Sequence, residues 1–340
     1  MKRTALAMMM VLAMSAAAIG QTQLNGAGAT FPYPMYSKWF SDYNKLHPDI
    51  QINYQSIGSG GGIKQVTEGT VDFGATDGPM NDQQMKDFQD KRGCSILHFP
   101  TVLGAVVPAY NLPGVTAELN FTPNALAGIF LGTITRWNDP ELTRANPSVK
   151  LPDHELVVVH RSDGSGTTYC WVDYLAKVSP EWKEKVGVGT SVNWPVGLGG
   201  KGNEGVSGQI KLTEYSIGYV ELIYAVHNNL TYGSVRNSSG NFVKATLAST
   251  TAAAGGAAKN MPEDFRVSIT NAPGKDTYPI STFTWLLIPD RIQDATKKDV
   301  IVRFLRWMLS DGQNLTEALD YAKLPTSVVP KELKAISKIQ

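Results

Sequence analysis

The chain has 340 residues, 42% hydrophobic and 18% charged, with 32 Gly and 19 Pro. Gly and Pro together stay under the roughly 25–30% that marks low-complexity chains, which excludes disorder and a collagen-like repeat, and the length favours two domains over one. With 31 basic and 30 acidic residues, a formal charge of +1 and no run of five like charges, the chain carries no field that would attract nucleic acid, and no nucleic-acid partner is expected.

Residues 1–20 read as an export signal. Lys2 and Arg3 give a positive start, residues 4–14 are apolar, and Ala18 and Gly20 stand at the −3 and −1 positions of a cut before Gln21. The apolar stretch is shorter than the roughly 20 residues of a membrane span. No Cys lies near the cut, so a lipid-anchored start is not expected, and the remaining chain reads as a soluble exported protein.

Tyr36, Trp39, Phe40, Tyr43 and Leu46 recur at helical spacing and predict a helix over 35–46. Ile50, Ile52 and Tyr54 alternate as in a strand, Gly58 to Gly62 reads as a break, a short helix follows around Ile63 and Val66, and 71–75 reads as the next strand. The apolar run 156–159 suits a parallel strand buried on both faces, followed by a Gly-rich turn and a helix over 168–178 with Cys170, Trp171, Tyr174 and Leu175 on its packed face. Residues 246–258, rich in Ala, Thr and Gly, read as a surface helix or loop. Residues 282–288 read as a strand, and Ile301, Phe304, Leu305 and Met308 form a last helical stripe. Strands alternating with helices give an α/β fold class. Linkers are expected near 99–101 and 271–278, which makes the first domain discontinuous: 21–101 plus 275–340, with 102–274 as the second.

Cys94 and Cys170 have no Cys-x-x-Cys spacing, and His47, His98, His154, His160 and His227 are scattered. No metal or other cofactor is expected, and a disulfide is left open. Three segments place small residues where a strand gives way to a helix: Gly26 to Phe31, Gly58 to Gly62, and Asp163 to Thr167. Helix starts offer unpaired N–H groups and the positive end of the helix dipole to an anion. One such segment is more often an ordinary Gly-rich turn. Three in one chain, with Arg161 just before the third, point to an anion site.

Nucleotide motifs fail on inspection, because Phe31 replaces the third small residue of the dinucleotide fingerprint and Gly202 stands where a P-loop needs Ser or Thr. No Gly-x-Ser-x-Gly frames Ser59 or Ser165, and no His is placed as their base.

Five motifs in one order through the chain, TQLNGAGATFPYP (22–34), IGSGGGIK (57–64), VDFGATDGP (71–79), RSDGSGT (161–167) and WPVGLGGKGNEG (194–205), resemble the periplasmic phosphate-binding proteins of bacterial high-affinity phosphate ABC transporters. The resemblance implies a two-domain type II periplasmic-binding-protein fold with a ligand cleft between the lobes. It implies inorganic phosphate as ligand, the membrane permease and ATPase subunits of an ABC transporter as partners, a monomer, and a periplasmic location. Matched by position, Ala29, Thr30 and Phe31 stand in the first anion loop, Ser59 in the second, and Asp77 as the carboxylate of the first domain. Arg161, Asp163, Ser165, Gly166 and Thr167 stand as the second-domain contacts. Gly60 and Thr76 stand where Ser is usual in the family.

The chemistry fits those roles. Hydroxyls, backbone N–H groups and a guanidinium all donate to phosphate oxygens. Asp163 is placed to hold Arg161, to cap the helix that follows, or both. Asp77 in Asp-Gly-Pro is by itself a good turn residue; within an anion site its carboxylate accepts the proton that phosphate keeps near neutral pH and that sulfate lacks. The competing class is a secreted phosphatase or phosphoryl-transfer enzyme, which requires an activated nucleophile or metals that the sequence does not offer, so no enzymatic activity is expected.

Overall fold

The structure is a computed structural model and describes residues 21–340; the expected export signal lies outside the described residues. Nine strands form one sheet: β1 (Thr22–Gly28), β2 (Ile50–Ser56), β3 (Phe73–Thr76), β4 (Ile96–Asn111), β5 (Val157–Arg161), β6 (Leu198–Gly200), β7 (Ser216–Glu221), β8 (Thr231–Tyr232) and β9 (Ser281–Pro289). Their order is β2-β1-β3-β9-β4-β7-β5-β6, with β8 attached to β4.

The sheet has two halves, and β4 belongs to both. Ile96 to Ala105 pairs antiparallel with β9, whereas Val106 to Asn111 pairs antiparallel with β7. Every residue of this 16-residue strand except Leu97 and Asn111 is buried, as a strand covered on both faces requires. The first half of the sheet holds β1, β2 and β3, parallel to one another; the second holds β5, parallel to β6 and β7.

Five helices matter for the site: α1 (Tyr33–Leu46), α2 (Ser59–Glu68), α3 (Gly166–Val178), α4 (Gly202–Leu212) and α5 (Ala295–Met308). The helical stripes fall where the spacing predicts. α1 buries Met35, Tyr36, Trp39, Phe40 and Tyr43, and Phe40 meets Phe304 of α5 with ring centroids 5.4 Å apart. Leu46, the last residue of α1, is instead exposed, beyond the reach of the core. α3 begins at Gly166, two residues before the predicted start, because Ser165 caps it by accepting from the Thr168 N–H at 3.0 Å. Residues Leu247–Lys259 form a helix that buries Ser249, Thr250, Ala253, Ala254 and Ala258, so that segment lines the interior more than a surface helix would.

Two expectations differ from the structure. Residues 99–101, read as a linker, lie inside β4. The register with β9 shifts between Thr284 and Trp285, opposite Pro100 and Val102, and leaves Thr101 as an extra residue. A bulge at this point absorbs a proline that has no N–H for the ladder. The run Gly58 to Gly62, read as a break, is mostly helix. The glycines are there for approach: a Cβ on Gly62 would stand 2.5 Å from Ala27 O and 2.5 Å from Gly28 Cα, so α2 lies directly on the backbone of β1. Residues 271–278 do form an irregular segment, held by Asn237 Nδ2 donating to the carbonyls of Gly274, Lys275 and Thr277.

Cys94 lies just before β4 and Cys170 in α3, in different halves of the molecule, and both are free thiols. Burial pushes the Cys170 thiol well above its ordinary range. The native protein should therefore expose at most one thiol, Cys94, to a thiol-titrating reagent, and two in denaturant without reductant; no thiol in denaturant would establish a disulfide instead. Gly62→Ala should lower stability by roughly 1–3 kcal/mol, against the gain that Gly→Ala brings in an open helix. Urea unfolding measures it, and an unchanged midpoint would refute the close helix–strand contact.

Candidate anion-binding site

The carboxyl ends of β1, β2 and β3 converge; the chain leaves β1 and β2 through the first two segments read as anion loops, and β3 through the turn Asp77-Gly78-Pro79. Gly28 turns the first (φ +152), and a Cβ there would strike the Ala75 carbonyl. Ala29 N–H donates to Ala75 O at 3.0 Å, while Gly28 O accepts from Ile57 N–H at 3.0 Å and Gly58 N–H at 2.9 Å. These bonds lock the three ends together. Thr30 and Phe31 are thereby placed just before α1, Ser59 as the first residue of α2, and Asp77 just beyond β3, all of them buried.

The second half supplies the opposite wall. Arg161 ends β5 with its side chain 1% exposed. Its Nε and Nη2 donate to the two carboxylate oxygens of Asp163 at 2.8 and 2.5 Å, and Nη1 donates to Thr167 Oγ1 at 3.3 Å. Asp163 Oδ1 also accepts the Gly202 N–H at 3.0 Å. Burial works to raise the Asp163 carboxyl, but the Arg161 hydrogen bonds and charge, with the Gly202 N–H, hold it below its ordinary range. Gly166 and Thr167 form the first turn of α3, with their N–H groups free of helical partners. Asp163 thus both holds Arg161 and receives the start of α4; the cap of α3 is Ser165.

The two walls touch. Gly60 N–H donates to Gly164 O at 2.8 Å, Gly166 N–H to Ser59 Oγ at 3.0 Å, and Tyr224 Oη to Thr30 O at 2.6 Å. Asn203 of α4 donates from Nδ2 to Thr30 Oγ1 at 2.8 Å and to Thr167 Oγ1 at 3.0 Å. Close approach explains two more glycines. A Cβ on Gly166 would stand 2.5 Å from Asp77 Oδ2 and from Ser59 Oγ, and one on Gly58 (φ +91) would stand 2.3 Å from Asp163 Oδ2.

Asp77 is the electrostatic exception. Its Oδ1 accepts from Thr284 Oγ1 of β9 at 2.8 Å, while Oδ2 is buried with no hydrogen-bond partner. Burial pushes the carboxyl up to about 7, against the Thr284 hydrogen bond and the Arg161 charge. Glu221, at the end of β7, is fully buried as well, and burial drives it well above the ordinary carboxyl range. Its Oε2 accepts from Ile223 N–H at 2.9 Å and so caps the next helix, while Oε1 is buried without a partner. Around Asp77 the other groups donate: Ser59 Oγ accepts from Gly166 N–H and, at 3.3 Å, from Asp77 N–H, which leaves its own proton to give.

Of the ten residues expected from the sequence, Phe31 adjoins Thr30 and Ser165 caps α3, while Thr30, Ser59, Asp77, Arg161, Asp163, Gly166 and Thr167 join the hydrogen bonds within and between the walls. The Ala29 N–H goes to Ala75 and its carbonyl accepts from Tyr54 Oη at 2.8 Å; it shapes the loop. Sequence reasoning missed Thr284, Asn203, Tyr224, Glu221 and Tyr219, whose hydroxyl accepts the Arg161 N–H at 3.2 Å. Only Asn203 had a signal, lying inside the segment 194–205. His160 stacks on Trp194 with centroids 4.8 Å apart, as a packing group. Among the described residues no three His, Cys, Asp or Glu side chains gather as a metal site would require, and no helix is long and apolar enough to cross a membrane.

A family profile described as a PBP superfamily domain matches residues 14–312. The chain is 44% identical over 314 residues to the phosphate-binding protein PstS of Xylella fastidiosa (strain Temecula1), covering 92% of this chain and 84% of that protein. It is 44% identical over 309 residues to the phosphate-binding protein PstS of Pasteurella multocida, with 91% and 88% covered. Its fold is similar to that of a solved high affinity periplasmic phosphate-binding protein (PfluDING) bound with phosphate, with a TM-score of 0.74 at 20% identity over 92% of this chain and 93% of that one. By profile, sequence and two-lobed fold alike, the chain belongs to the PBP superfamily and, within it, to the phosphate-binding protein PstS family.

Proposed function

We propose that this chain binds inorganic phosphate in the periplasm, between its two lobes, and delivers it to the membrane permease of an ABC phosphate transporter powered by that transporter's ATPase subunits. The observation that carries the reading is the buried, unpartnered Oδ2 of Asp77 amid donors. Phosphate near neutral pH holds an acidic proton and can donate it to Asp77, while its other oxygens accept from Thr30, the Phe31 N–H, Ser59, Arg161, Ser165 and Thr167, with the Gly166 N–H given to Ser59 Oγ. Sulfate has no proton there, and two acceptors would face each other without water. Asp163 acts through Arg161 by holding the fork in place.

The lobes we assign to 21–101 plus 275–340 and to 102–274, with the crossing on β4 where its pairing changes from β9 to β7 between Ala105 and Val106. The contacts between Ser59 and Gly166, and between Thr30 and Asn203, belong to a closed form, in which the outer faces of the lobes are aligned for the permease. We take the working unit to be a monomer, released to the periplasm by a cut before Gln21.

An enzymatic reading has no support at Ser59: both partners of its Oγ are backbone N–H groups, which cannot take its proton. The chain is a binding protein, as its relatives are named.

The pH dependence follows from Asp77. Below about 7 the carboxyl of the empty site keeps its proton and can donate to sulfate; above it, the carboxylate refuses. Calorimetry on protein freed of ligand should show tight one-to-one phosphate binding at pH 5 and at pH 8.5. Sulfate heat should be measurable at pH 5 and should fall by about tenfold in affinity per pH unit above 7. No phosphate binding by folded protein would overturn the function. A phosphate-to-sulfate ratio that stays flat across this range would overturn the role given to Asp77.

A further inference from the structure

Asn203 is the second residue of α4, and its surroundings leave nothing of it exposed. Its Oδ1 accepts the backbone N–H of Glu221 at 3.0 Å. A backbone N–H can only donate, so the orientation of the amide is fixed by its neighbour. The two N–H bonds of Nδ2 must then point the other way, and they meet Thr30 Oγ1 at 2.8 Å and Thr167 Oγ1 at 3.0 Å. The backbone N–H of Asn203, unpaired within its helix, donates to the same Thr30 oxygen at 3.2 Å.

A hydroxyl has one proton and two acceptor positions. Thr30 Oγ1 receives both of its acceptor bonds from Asn203. Thr167 Oγ1 receives one from Asn203 and one from Arg161 Nη1. Each hydroxyl is left with a proton and no further lone pair to offer, the state already found at Ser59. Thr30 lies on the first lobe and Thr167 and Asn203 on the second, so the arrangement is complete only when the lobes meet.

We propose that Asn203 is a positioning residue that sets the hydrogen-bond polarity of the site: by filling acceptor positions of Thr30 and Thr167 it makes both hydroxyls donors to the bound anion, Thr167 in either form and Thr30 only in the closed form. Asn203 need not touch the ligand. The inference rests on the phosphate reading above and assigns to it the residue that makes two of its donors obligate. The ligand this selects is an oxyanion that accepts at every position except the one facing Asp77.

Calorimetric titration with inorganic phosphate at pH 7.5, on wild type, Asn203→Ala, Thr167→Val and the double variant, tests this. Asn203→Ala should weaken binding by roughly 10–100-fold, as expected for hydrogen bonds to a charged acceptor. The double variant should bind no more than a few-fold worse than the weaker single variant, because without the Thr167 hydroxyl Asn203 has less to orient. Asn203 and Thr167 share a lobe, so a residue that merely latched the lobes or filled space would give costs that multiply; multiplying costs would overturn the proposal.

Asn203→Asp, of the same size, carries the test should the alanine variant not fold. Its carboxylate can only accept and draws the two hydroxyl protons away from the ligand, so it should bind more weakly than Asn203→Ala and recover as the pH falls and the carboxyl gains a proton. Binding as tight as wild type in either folded variant would refute the inference. If wild type itself does not bind phosphate, the function fails first, and with it this extension.

Discussion

A carboxylate left half unpartnered in a dry site is the constraint on which the rest of this structure depends. Burying Asp77 is costly, and the cost shows in a carboxyl raised to about 7. The fold tolerates it because the surroundings are donors: Thr284 holds Oδ1, and Arg161 lies near enough to oppose the rise. The neighbouring Glu221 also carries a buried, unpartnered oxygen, Oε1, and burial drives its carboxyl well above the ordinary range; of the two acids, only Asp77 has the Arg161 charge opposing that rise.

The positive side of the site is built with little net charge. Arg161 and Asp163 form a bidentate pair, and a second donor, the Gly202 N–H, holds the aspartate. Such a pair cancels most of its own field, so the anion is met chiefly by dipoles. The starts of α2 and α3 meet beside it, where Gly60 N–H donates to Gly164 O and Gly166 N–H to Ser59 Oγ, first-turn groups that no helical bond can use. A fixed dipole cannot follow the ligand out of the site or be neutralised by a proton. Holding an anion this way keeps the walls complementary to its shape and proton count, which a cluster of lysines would not do.

Much of this was legible in the sequence, and what was not has physical reasons. Helical stripes such as Met35 to Tyr43 are local, and a period of 3.6 shows in a dozen residues. The anion loops are local too, since small residues at a strand-to-helix junction have few other uses. Asp77 sits in a good turn sequence and became a ligand candidate only through the family's five motifs. Thr284 lies 207 residues from the carboxylate it holds, inside a buried strand whose composition describes burial and nothing else. Gly60 to Gly62 read as a break because propensity counts against glycine in helices. The backbone they lie on, 2.5 Å from a missing Cβ, is visible only in three dimensions. Pro100 misled in the same way, since the bulge that accommodates it is a property of the pair β4 and β9 rather than of β4.

The same strand explains how a rigid sheet can serve a site that must open. β4 runs without interruption through both halves, so the lobes share a buried strand rather than a flexible linker. Its partner changes between Ala105 and Val106, and at that point it faces Glu221, whose side chain caps a helix and whose backbone N–H holds Asn203. The residue that orients two ligand donors is therefore anchored at the crossing itself. Rotation of one lobe about β4 would leave the Asn203 bonds to Glu221 and Thr167 intact, since all three lie on the second lobe, and would break those to Thr30. Opening then costs the site its donor polarity on one wall only, and closing restores it in one step, with the second wall already arranged to receive the anion.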